Sequence, residues 1–577
     1  MLKTYIKPYR IRVAWNALIK MVGTLMEVVL PTILAYIVNT VVPARNQTRI
    51  ILWGIIMIFC AFGAWLLNIT ANRMASKTAS LAIKNIRRDL FNRSLTLSAR
   101  QIDELGVSSL ESRLTSDTYI VHRLLSVTLR MGIRSVMLFL GGVFFCLLLS
   151  PRLSLVLLAL ILPLVLVVRV IFRKAFPLFR QVQQMIDEMV QVIRENIRGI
   201  KVSKALDTTE FEQERFAQAN DEVKNAEVKA IDQIAKMPPL VNFILFTGVA
   251  LVLIYGARLV NINQIQTGTV MAFLSYFIQI TNSLMGMNRM INIYNRAAAS
   301  EKRISEVLSL PIDDNQIISD YQKQQLPARN YKVPEIEFRN VSFSYLGKKK
   351  NLNNISFKLY PGKTLGIMGA TGSGKSTLIR LSLRQYDVDE GKILIRGVDV
   401  RKLSASDLLG LFGTVFQSDF LFGGTIRENI AFGRELTEEQ INKASKHAQA
   451  ADFIEEKEGL DFQLASKGVN LSGGQKQRLL LSRAFASEPD ILILDDASSS
   501  LDFKTDQRLR QAIRVNFPLT TQIIIAQRVS SIRHAEQILL LDKGQIMALG
   551  THEELLAECP EYKEIAETQM GTTSNIA

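Results

Sequence analysis

The sequence predicts an all-α membrane domain of six helices with long cytoplasmic helical extensions, followed by an α/β domain. Six long apolar stretches lie in the first half of the chain, whereas the second half has short half-buried strands and a glycine-rich turn. A polar segment that contains prolines separates the two halves. We therefore expect a membrane domain at 1–310, a linker at 311–334 and an α/β domain at 335–577.

The six apolar stretches are long enough to cross a bilayer, which takes about 20 mostly apolar residues, or can be completed by snorkelling flanks. They lie at roughly 13–42, 51–68, 135–150, 153–172, 239–260 and 267–287. The alternative is a set of buried helices in a large soluble protein. Six such stretches without charged faces would be unusual in water, so membrane spans are favoured.

The lengths of the intervening segments predict the topology. The segments at about 69–134 and 173–237 are long, helix-patterned and rich in Lys and Arg, whereas the other loops are short. Lys and Arg near span ends favour the cytoplasmic side. We therefore expect a multi-pass protein of the plasma membrane with its α/β domain and both termini in the cytoplasm.

Composition limits the possible partners. The chain has 577 residues, is 48% hydrophobic and has a formal net charge of +16. A soluble nucleic-acid-binding protein could be this basic but would rarely be this apolar, so we expect a lipid bilayer and no nucleic acid as a partner. The three cysteines, Cys60, Cys146 and Cys559, are far apart and indicate neither a disulfide framework nor a metal site.

A strand, a glycine-rich turn and a helix start are predicted in LGIMGATGSGKSTLIRL, which contains the P-loop pattern GxxxxGK[ST]. The glycines allow backbone N–H groups to face phosphate oxygens, and the helix adds its positive end to the same pocket. The candidate ATP-binding residues of this segment are Gly369, Ala370, Thr371, Gly372, Ser373, Gly374, Lys375, Ser376 and Thr377.

Lys375 is predicted to reach the β- and γ-phosphates, and the Ser376 hydroxyl to ligate Mg²⁺. Asp495, at the end of the apolar strand ILILD, is the expected outer partner of that Mg²⁺. Together the two motifs predict that the domain binds ATP and Mg²⁺.

The segment LSGGQKQRLLLSRAF, at 471–485, resembles the signature of ATP-binding-cassette (ABC) proteins, and the resemblance extends over essentially the whole chain. It implies an α/β P-loop ABC nucleotide-binding domain after a six-helix exporter half-transporter. The signature residues are Leu471, Ser472, Gly473, Gly474 and Gln475. In the family this surface faces the P-loop of a second cassette, so the resemblance implies a second half-transporter subunit as partner.

The same resemblance assigns further site residues. Gln417 looks like the Q-loop residue that ligates Mg²⁺ and senses the membrane domain. Tyr345 matches the aromatic residue that stacks on adenine, although a tyrosine ending a strand can also be plain packing. The D-loop contains Ser500, Leu501 and Asp502.

Two positions depart from the family pattern. Asp496 stands where a glutamate that primes the attacking water is expected, and Gln527 replaces the switch histidine. Asp496 is shorter by one methylene, and glutamine cannot take up a proton. We interpret this chain as the degenerate-site subunit of a heterodimer, resembling bacterial heterodimeric multidrug exporters, whose partner supplies the glutamate and histidine. The alternative is a working homodimer that tolerates both changes.

Three polar residues in apolar helices are candidates for the transport path. Glu27 lies within the first apolar stretch, and Gln279 and Asn282 lie in the sixth. Intramembrane ionisable groups are functional candidates. Glu27 could bind a cationic substrate, or simply pair with Lys20 or another helix.

Amphipathic drugs or lipid-like compounds are the expected cargo. Two other readings stay open, a homodimeric exporter of lipid or peptide and a non-transporting ATP-gated sensor complex.

Overall fold

A computed structural model describes residues 1–311, 324–345, 347, 350–417 and 420–570, except for the side chains of 287–289, 291, 292, 295 and 570. The chain forms two compact units. Residues 1–92 and 111–309 form the first, here called the helical unit. Residues 93–110 and 310–577 form the second, here called the α/β unit. Residues 312–323 of the predicted linker lie outside the described residues.

Residues up to 309 are mostly helical, and the apolar runs with their charged extensions form the long helices among them. The α-helices are α1 Leu2–Ile6, α2 Arg10–Tyr36, α3 Gln47–Leu95, α4 Ala99–Leu105, α5 Val107–Ser112, α6 Thr118–Val127, α7 Ile133–Leu149, α8 Pro151–Ala205, α9 Thr209–Ala235, α10 Met237–Asn261 and α11 Thr267–Ser309. Helices α3 and α8 are 49 and 55 residues long, because each continues from an apolar stretch into a charged extension.

Five helical segments among the described residues are long and apolar enough to cross a membrane. They are Leu2–Val41, Gln47–Leu95, Val107–Leu149, Pro151–Ala205 and Thr209–Asn261. The sixth predicted stretch, 267–287, is helical within α11 but does not join these five, so its crossing stays a prediction.

Helix α11 packs closely against α2 and α10 in the helical unit. The Tyr276 hydroxyl lies 2.7 Å from the Val28 carbonyl and 2.6 Å from the Thr32 hydroxyl. A side chain at Gly248 would place its Cβ 2.5 Å from the Phe277 ring, so only glycine allows α10 to approach this closely.

The α/β unit contains twelve strands among its described residues. They are β1 Ile336–Phe343, β2 Leu352–Leu359, β3 Thr364–Gly369, β4 Glu390–Ile395, β5 Val398–Asp399, β6 Phe412–Val415, β7 Gly424–Thr425, β8 Gln463–Leu464, β9 Ile491–Asp495, β10 Thr521–Ile525, β11 Gln537–Asp542 and β12 Gln545–Gly550. One sheet has the order β2-β1-β4-β5, and a larger sheet has the order β12-β11-β3-β10-β9-β6. In the larger sheet every pair except β11–β12 is parallel.

Besides α4, the α/β unit contains ten further helices among its described residues. They are α12 Lys375–Ser382, α13 Ala405–Leu409, α14 Ile426–Ala431, α15 Glu438–His447, α16 Ala451–Glu456, α17 Gly473–Phe485, α18 Phe503–Asn516, α19 Val529–Ile532, α20 His552–Glu558 and α21 Pro560–Met570. Six of them, α13, α14, α15, α17, α18 and α20, begin with a Ser, Thr or Asp side chain that accepts from a backbone N–H of the first turn. The prediction of an all-α membrane domain followed by an α/β domain is confirmed.

The end of the predicted linker packs on the α/β unit. The Arg329 guanidinium donates to Glu335 Oε2 at 2.9 Å and to the Thr521 hydroxyl at 2.6 Å. Arg396 donates to the other Glu335 oxygen at 2.7 Å. Because Glu335 is 0% exposed, these two arginines neutralise a fully buried carboxylate.

Candidate functional site

The predicted nucleotide-site residues meet at one edge of the larger sheet. Strands β3, β10, β9 and β6 are successive parallel neighbours, so their carboxyl ends lie side by side. The P-loop follows β3, Gln527 follows β10, Asp496 follows β9 and Gln417 follows β6. The carboxyl edge of a parallel sheet is the usual ligand site of such folds.

The P-loop backbone has the conformation that its glycines predict. Gly369, Gly372 and Gly374 have φ angles of +155°, +83° and +108°, which disfavour any other residue. A Cβ at Gly369 would lie 2.2 Å from the Leu541 carbonyl oxygen, so the loop also needs glycine for space. Helix α12 begins directly after Gly374, and its first N–H groups point toward the loop.

Lys375 lies over this loop. Its ammonium donates to the carbonyls of Gly369 at 2.7 Å and Ala370 at 2.9 Å. Burial lowers the pKa of Lys375, while the carboxylates of Asp496 and Asp495 oppose that shift. The hydroxyl of Ser373 is buried and has no hydrogen-bond partner among the described residues. This arrangement of donors and glycines fits a phosphate chain.

Ser376 and Asp495 form the pair expected for Mg²⁺. The Ser376 hydroxyl donates to Asp495 Oδ2 at 3.3 Å. Burial raises the pKa of Asp495 and Asp496 adds to the increase, whereas the Ser376 hydrogen bond and Lys375 lower it. A hydroxyl and a carboxylate oxygen are ligands that Mg²⁺ prefers. Gln417, the third predicted ligand, is exposed just beyond β6.

The two departures from the family pattern contact each other. Gln527 Nε2 donates to Asp496 Oδ2 at 3.1 Å. In the sequence each residue follows an apolar strand, and the structure shows that these strands, β9 and β10, are parallel neighbours. Asp496 also has a φ of +50°, a left-handed conformation in which Asp is more common than most residues.

Tyr345 lies in an aromatic cluster beside the P-loop helix. Its ring makes edge-to-face contacts with Phe343 and Tyr386 at 4.9 and 5.0 Å between centroids. Its hydroxyl donates to the Thr377 hydroxyl at 3.2 Å. These contacts place Tyr345 next to the predicted nucleotide site and also give it a packing role.

The predicted signature begins α17. Ser472 caps the helix, because its hydroxyl accepts from Gln475 N at 3.3 Å while Gln475 Oε1 accepts from Ser472 N at 3.0 Å. The D-loop lies against this helix, since Ser500 N donates to Gln477 Oε1 at 2.9 Å. A Cβ at Gly474 would lie 3.1 Å from the Ser500 carbonyl oxygen. In the same loop, Leu501 is half-buried.

Asp502 ends the D-loop and caps α18. Its carboxylate accepts from Thr505 N at 2.9 Å. The Thr505 hydrogen bonds lower the pKa of Asp502.

Two contacts were missed from the sequence. Gln477 joins the signature helix to the D-loop, and the Tyr386 hydroxyl donates to Asp103 on α4. Asp103 and Tyr386 are 283 positions apart in the chain. No local pattern indicates such a pair.

The candidate transport-path residues lie on two helices of the helical unit, Glu27 on α2 and both Gln279 and Asn282 on α11. Glu27 pairs with Arg134, whose Nη2 and Nε lie 2.5 and 3.2 Å from the two carboxylate oxygens. The partner is therefore on another helix and is not Lys20. Gln279 Oε1 is buried and has no hydrogen-bond partner among the described residues, and Asn282 is exposed.

Comparison with known proteins matches both parts of the chain. Residues 14–284 match the family of the ABC transporter transmembrane region, and residues 352–499 match the ABC transporter family. An uncharacterised ABC transporter ATP-binding protein of Bacillus subtilis, YfiB, is 35% identical over 98% of each chain. An uncharacterised ABC transporter ATP-binding protein of Mycobacterium tuberculosis is 32% identical over 99% of this chain and 98% of its own.

Among solved structures, a bacterial Atm1-family ABC exporter with ATP bound has a TM-score of 0.80 and 23% identity. The match covers 98% of this chain and 99% of the other, and it shows the fold. The chain belongs to the ABC transporter family, with a transmembrane region followed by an ABC transporter domain.

Proposed function

We propose that this chain is one subunit of a heterodimeric exporter that uses ATP to move amphipathic, drug-like or lipid-like compounds out of the cell. Its own ATP site is hydrolytically degenerate, and a different half-transporter subunit supplies the catalytic glutamate and histidine of the competent site. Both termini and the α/β unit are cytoplasmic, as the distribution of Lys and Arg indicates.

The hydrogen bond from Gln527 to Asp496, at 3.1 Å, is the observation that supports this proposal best. A base that primes water must lie within hydrogen-bond reach of it, and a misplacement of about 1 Å can lower a rate about 100-fold. Asp496 is one methylene short, and one of its oxygens already accepts from Gln527. Gln527 can donate but cannot become charged.

The other parts of the site are intact, which favours nucleotide binding over loss of the site. Lys375 and the P-loop N–H groups are proposed to hold the phosphates of ATP. Ser376, Asp495 and Gln417 are proposed to hold Mg²⁺, which would neutralise phosphate charge. In this arrangement the chain retains nucleotide but activates water poorly.

The signature serves the partner's site in this proposal. Ser472 and the N–H groups of Gly473 and Gly474 lie at the positive end of the 13-residue helix α17, which suits a γ-phosphate. An intact signature beside a degenerate base is what an asymmetric pair needs, since each site combines the P-loop of one chain with the signature of the other.

Uptake by inside-out vesicles that contain this chain and its partner tests the proposal. An amphipathic dye should accumulate against its gradient when ATP is supplied. Replacing the catalytic glutamate of the partner with glutamine should stop uptake, whereas Asp496→Asn, the matched change in this chain, should leave it nearly unchanged.

Equal loss of uptake in both variants would contradict the degenerate site and favour a homodimer-like mechanism. ATP turnover without any uptake of amphipathic compounds would instead favour a sensor complex.

A further inference from the structure

A ladder of polar side chains runs along one face of α2 in the helical unit. Asn16, Lys20, Thr24 and Glu27 are spaced by four, four and three residues, which places them on one side of the helix. Asn16 and Thr24 are 0% exposed and Lys20 is 2% exposed. Such residues within a span are expensive to bury and mark binding sites or transport pathways.

Each member of the ladder contacts a neighbouring helix or its own. Asn16 Nδ2 donates to the Ala71 carbonyl of α3 at 2.5 Å, and Lys20 Nζ donates to Asn72 Oδ1 of α3 at 3.0 Å. Glu27 receives both bonds of the Arg134 guanidinium. The carboxylate is thus neutralised by one cation, whereas the hydrogen-bond partner of Lys20 is a neutral amide.

Of these residues, Lys20, Glu27, Asn72 and Arg134 line a cavity of about 330 Å³, whereas Asn16 and Thr24 do not. Among the described residues that line it, Lys20 and Arg134 are cations and Glu27 is the carboxylate, so the cavity wall has a net charge of +1. Arg134 and Arg130 act on the Lys20 ammonium with like charge, and Glu27 acts on it with opposite charge. The remaining wall is largely apolar and includes Trp65.

One polar atom near the cavity is also unpaired. Asn68 lines the cavity, and its Oδ1 is buried without a hydrogen-bond partner among the described residues. Its Nδ2 donates to the Ala64 carbonyl at 2.8 Å. Buried polar groups are normally satisfied, and an acceptor oxygen needs an N–H or O–H donor, so Asn68 suits a donor group next to the head of a ligand, such as an amide N–H, and not the anionic oxygens themselves.

We propose that this cavity binds the headgroup of an amphipathic anion, a carboxylate or phosphate attached to an apolar chain, with Lys20 as its charged donor. The inference rests on the proposed export function and specifies its cargo. The volume is at the small end of ligand pockets, which suits a headgroup and part of its chain. Glu27 holds Arg134 in place and is not the receptor of a cationic substrate.

Equilibrium binding of radiolabelled N-lauroylglycine to the nucleotide-free complex, in phosphatidylcholine nanodiscs, tests this directly. The acid should bind about tenfold or more tightly than its neutral methyl ester, because a charge-assisted hydrogen bond distinguishes them. Lys20→Met should remove that preference without weakening the ester. Lys229→Met, which changes an exposed lysine on α9, is the matched control and should bind as the unmodified protein does.

The direction in which Glu27→Gln changes the binding of N-lauroylglycine shows which role the Glu27 carboxylate has. The variant releases Arg134 and should bind N-lauroylglycine more tightly. If Glu27 were instead the receptor of cationic substrates, the variant would lose binding of dodecyltrimethylammonium. If Lys20→Met fails to assemble, Lys20→Arg should keep the preference for the acid. Equal binding of acid and ester, or weaker acid binding in Glu27→Gln, would overturn the proposal.

The same assay identifies the source of the anion. Phosphatidic acid added to the nanodiscs displaces the labelled acid if the headgroup of a bilayer lipid is the ligand. A free amphiphile is the ligand if the labelled acid binds but phosphatidic acid does not displace it. Because binding is measured without nucleotide, its failure would leave ATP-driven uptake and the degenerate site standing.

Discussion

Replacing Asp496 with glutamate and Gln527 with histidine, the residues of the family pattern, should make this chain's ATP site hydrolytic. The complex would then have two hydrolytic sites. Asp496→Glu lengthens the side chain by one methylene, about 1.5 Å, and Gln527→His replaces the amide that donates to Asp496 at 3.1 Å. Correct placement of a base contributes typically about 10²- to 10⁴-fold to a rate. The double variant should therefore raise hydrolysis at this site by about 100-fold or more.

This gain in hydrolysis can be measured when the ATP site of the partner subunit is inactive. In a complex whose partner glutamate is replaced with glutamine, steady-state release of phosphate should be close to background. Adding Asp496→Glu with Gln527→His should restore it, whereas either single change should restore less, because the two residues contact each other.

Asp496→Asn is the matched control, since it removes the charge with little change in shape. With an unmodified partner it should change ATPase activity by less than about twofold, since a base out of reach contributes little. The reasoning is refuted if Asp496→Asn alone abolishes ATPase activity, or if the double variant adds nothing in the silenced background.

Three further outcomes follow from contacts of the α/β unit. Ser472→Arg, which places a bulky cation at the start of α17, should abolish most ATPase activity of the complex while nucleotide still binds to this chain's P-loop, as measured by a fluorescent ATP analogue. Tyr386→Phe removes the hydrogen bond to Asp103 and should weaken the stimulation of ATPase activity by substrate more than basal activity. Arg396→Met leaves the buried Glu335 with one arginine and should lower the free energy of unfolding by about 3 kcal/mol in denaturant titrations, near the lower end for a broken buried pair. Unchanged turnover, stimulation or stability, respectively, would contradict each expectation.

The P-loop was predictable because its geometry depends on local backbone chemistry. Positive φ angles at Gly372 and Gly374 are nearly specific to glycine, so the sequence alone indicates the turn. The candidate Mg²⁺ pair was also predictable from local sequence, since Asp495 ends an apolar strand and Ser376 follows the P-loop lysine. Their 3.3 Å contact joins the helix after β3 to the end of β9, although β10 lies between these two strands in the sheet.

The helical unit was predictable in outline and less so in its contacts. Apolar length predicts spans, but which ionic partner Glu27 takes depends on helix rotation and packing, which composition does not reveal. Arg134 is 107 positions away and Lys20 only seven, yet the structure pairs Glu27 with Arg134. The end of the sixth predicted span could not be predicted either, because the long helix α11 continues past the apolar stretch and contains polar residues.

The most direct test of the central claim is to count the nucleotides trapped by vanadate in the purified complex. Vanadate traps nucleotide only where hydrolysis has occurred. We predict one trapped nucleotide for each pair of subunits, bound at the P-loop of the partner, and almost none in this chain purified alone. Two trapped nucleotides for each pair, or brisk trapping by the isolated chain, would contradict the account.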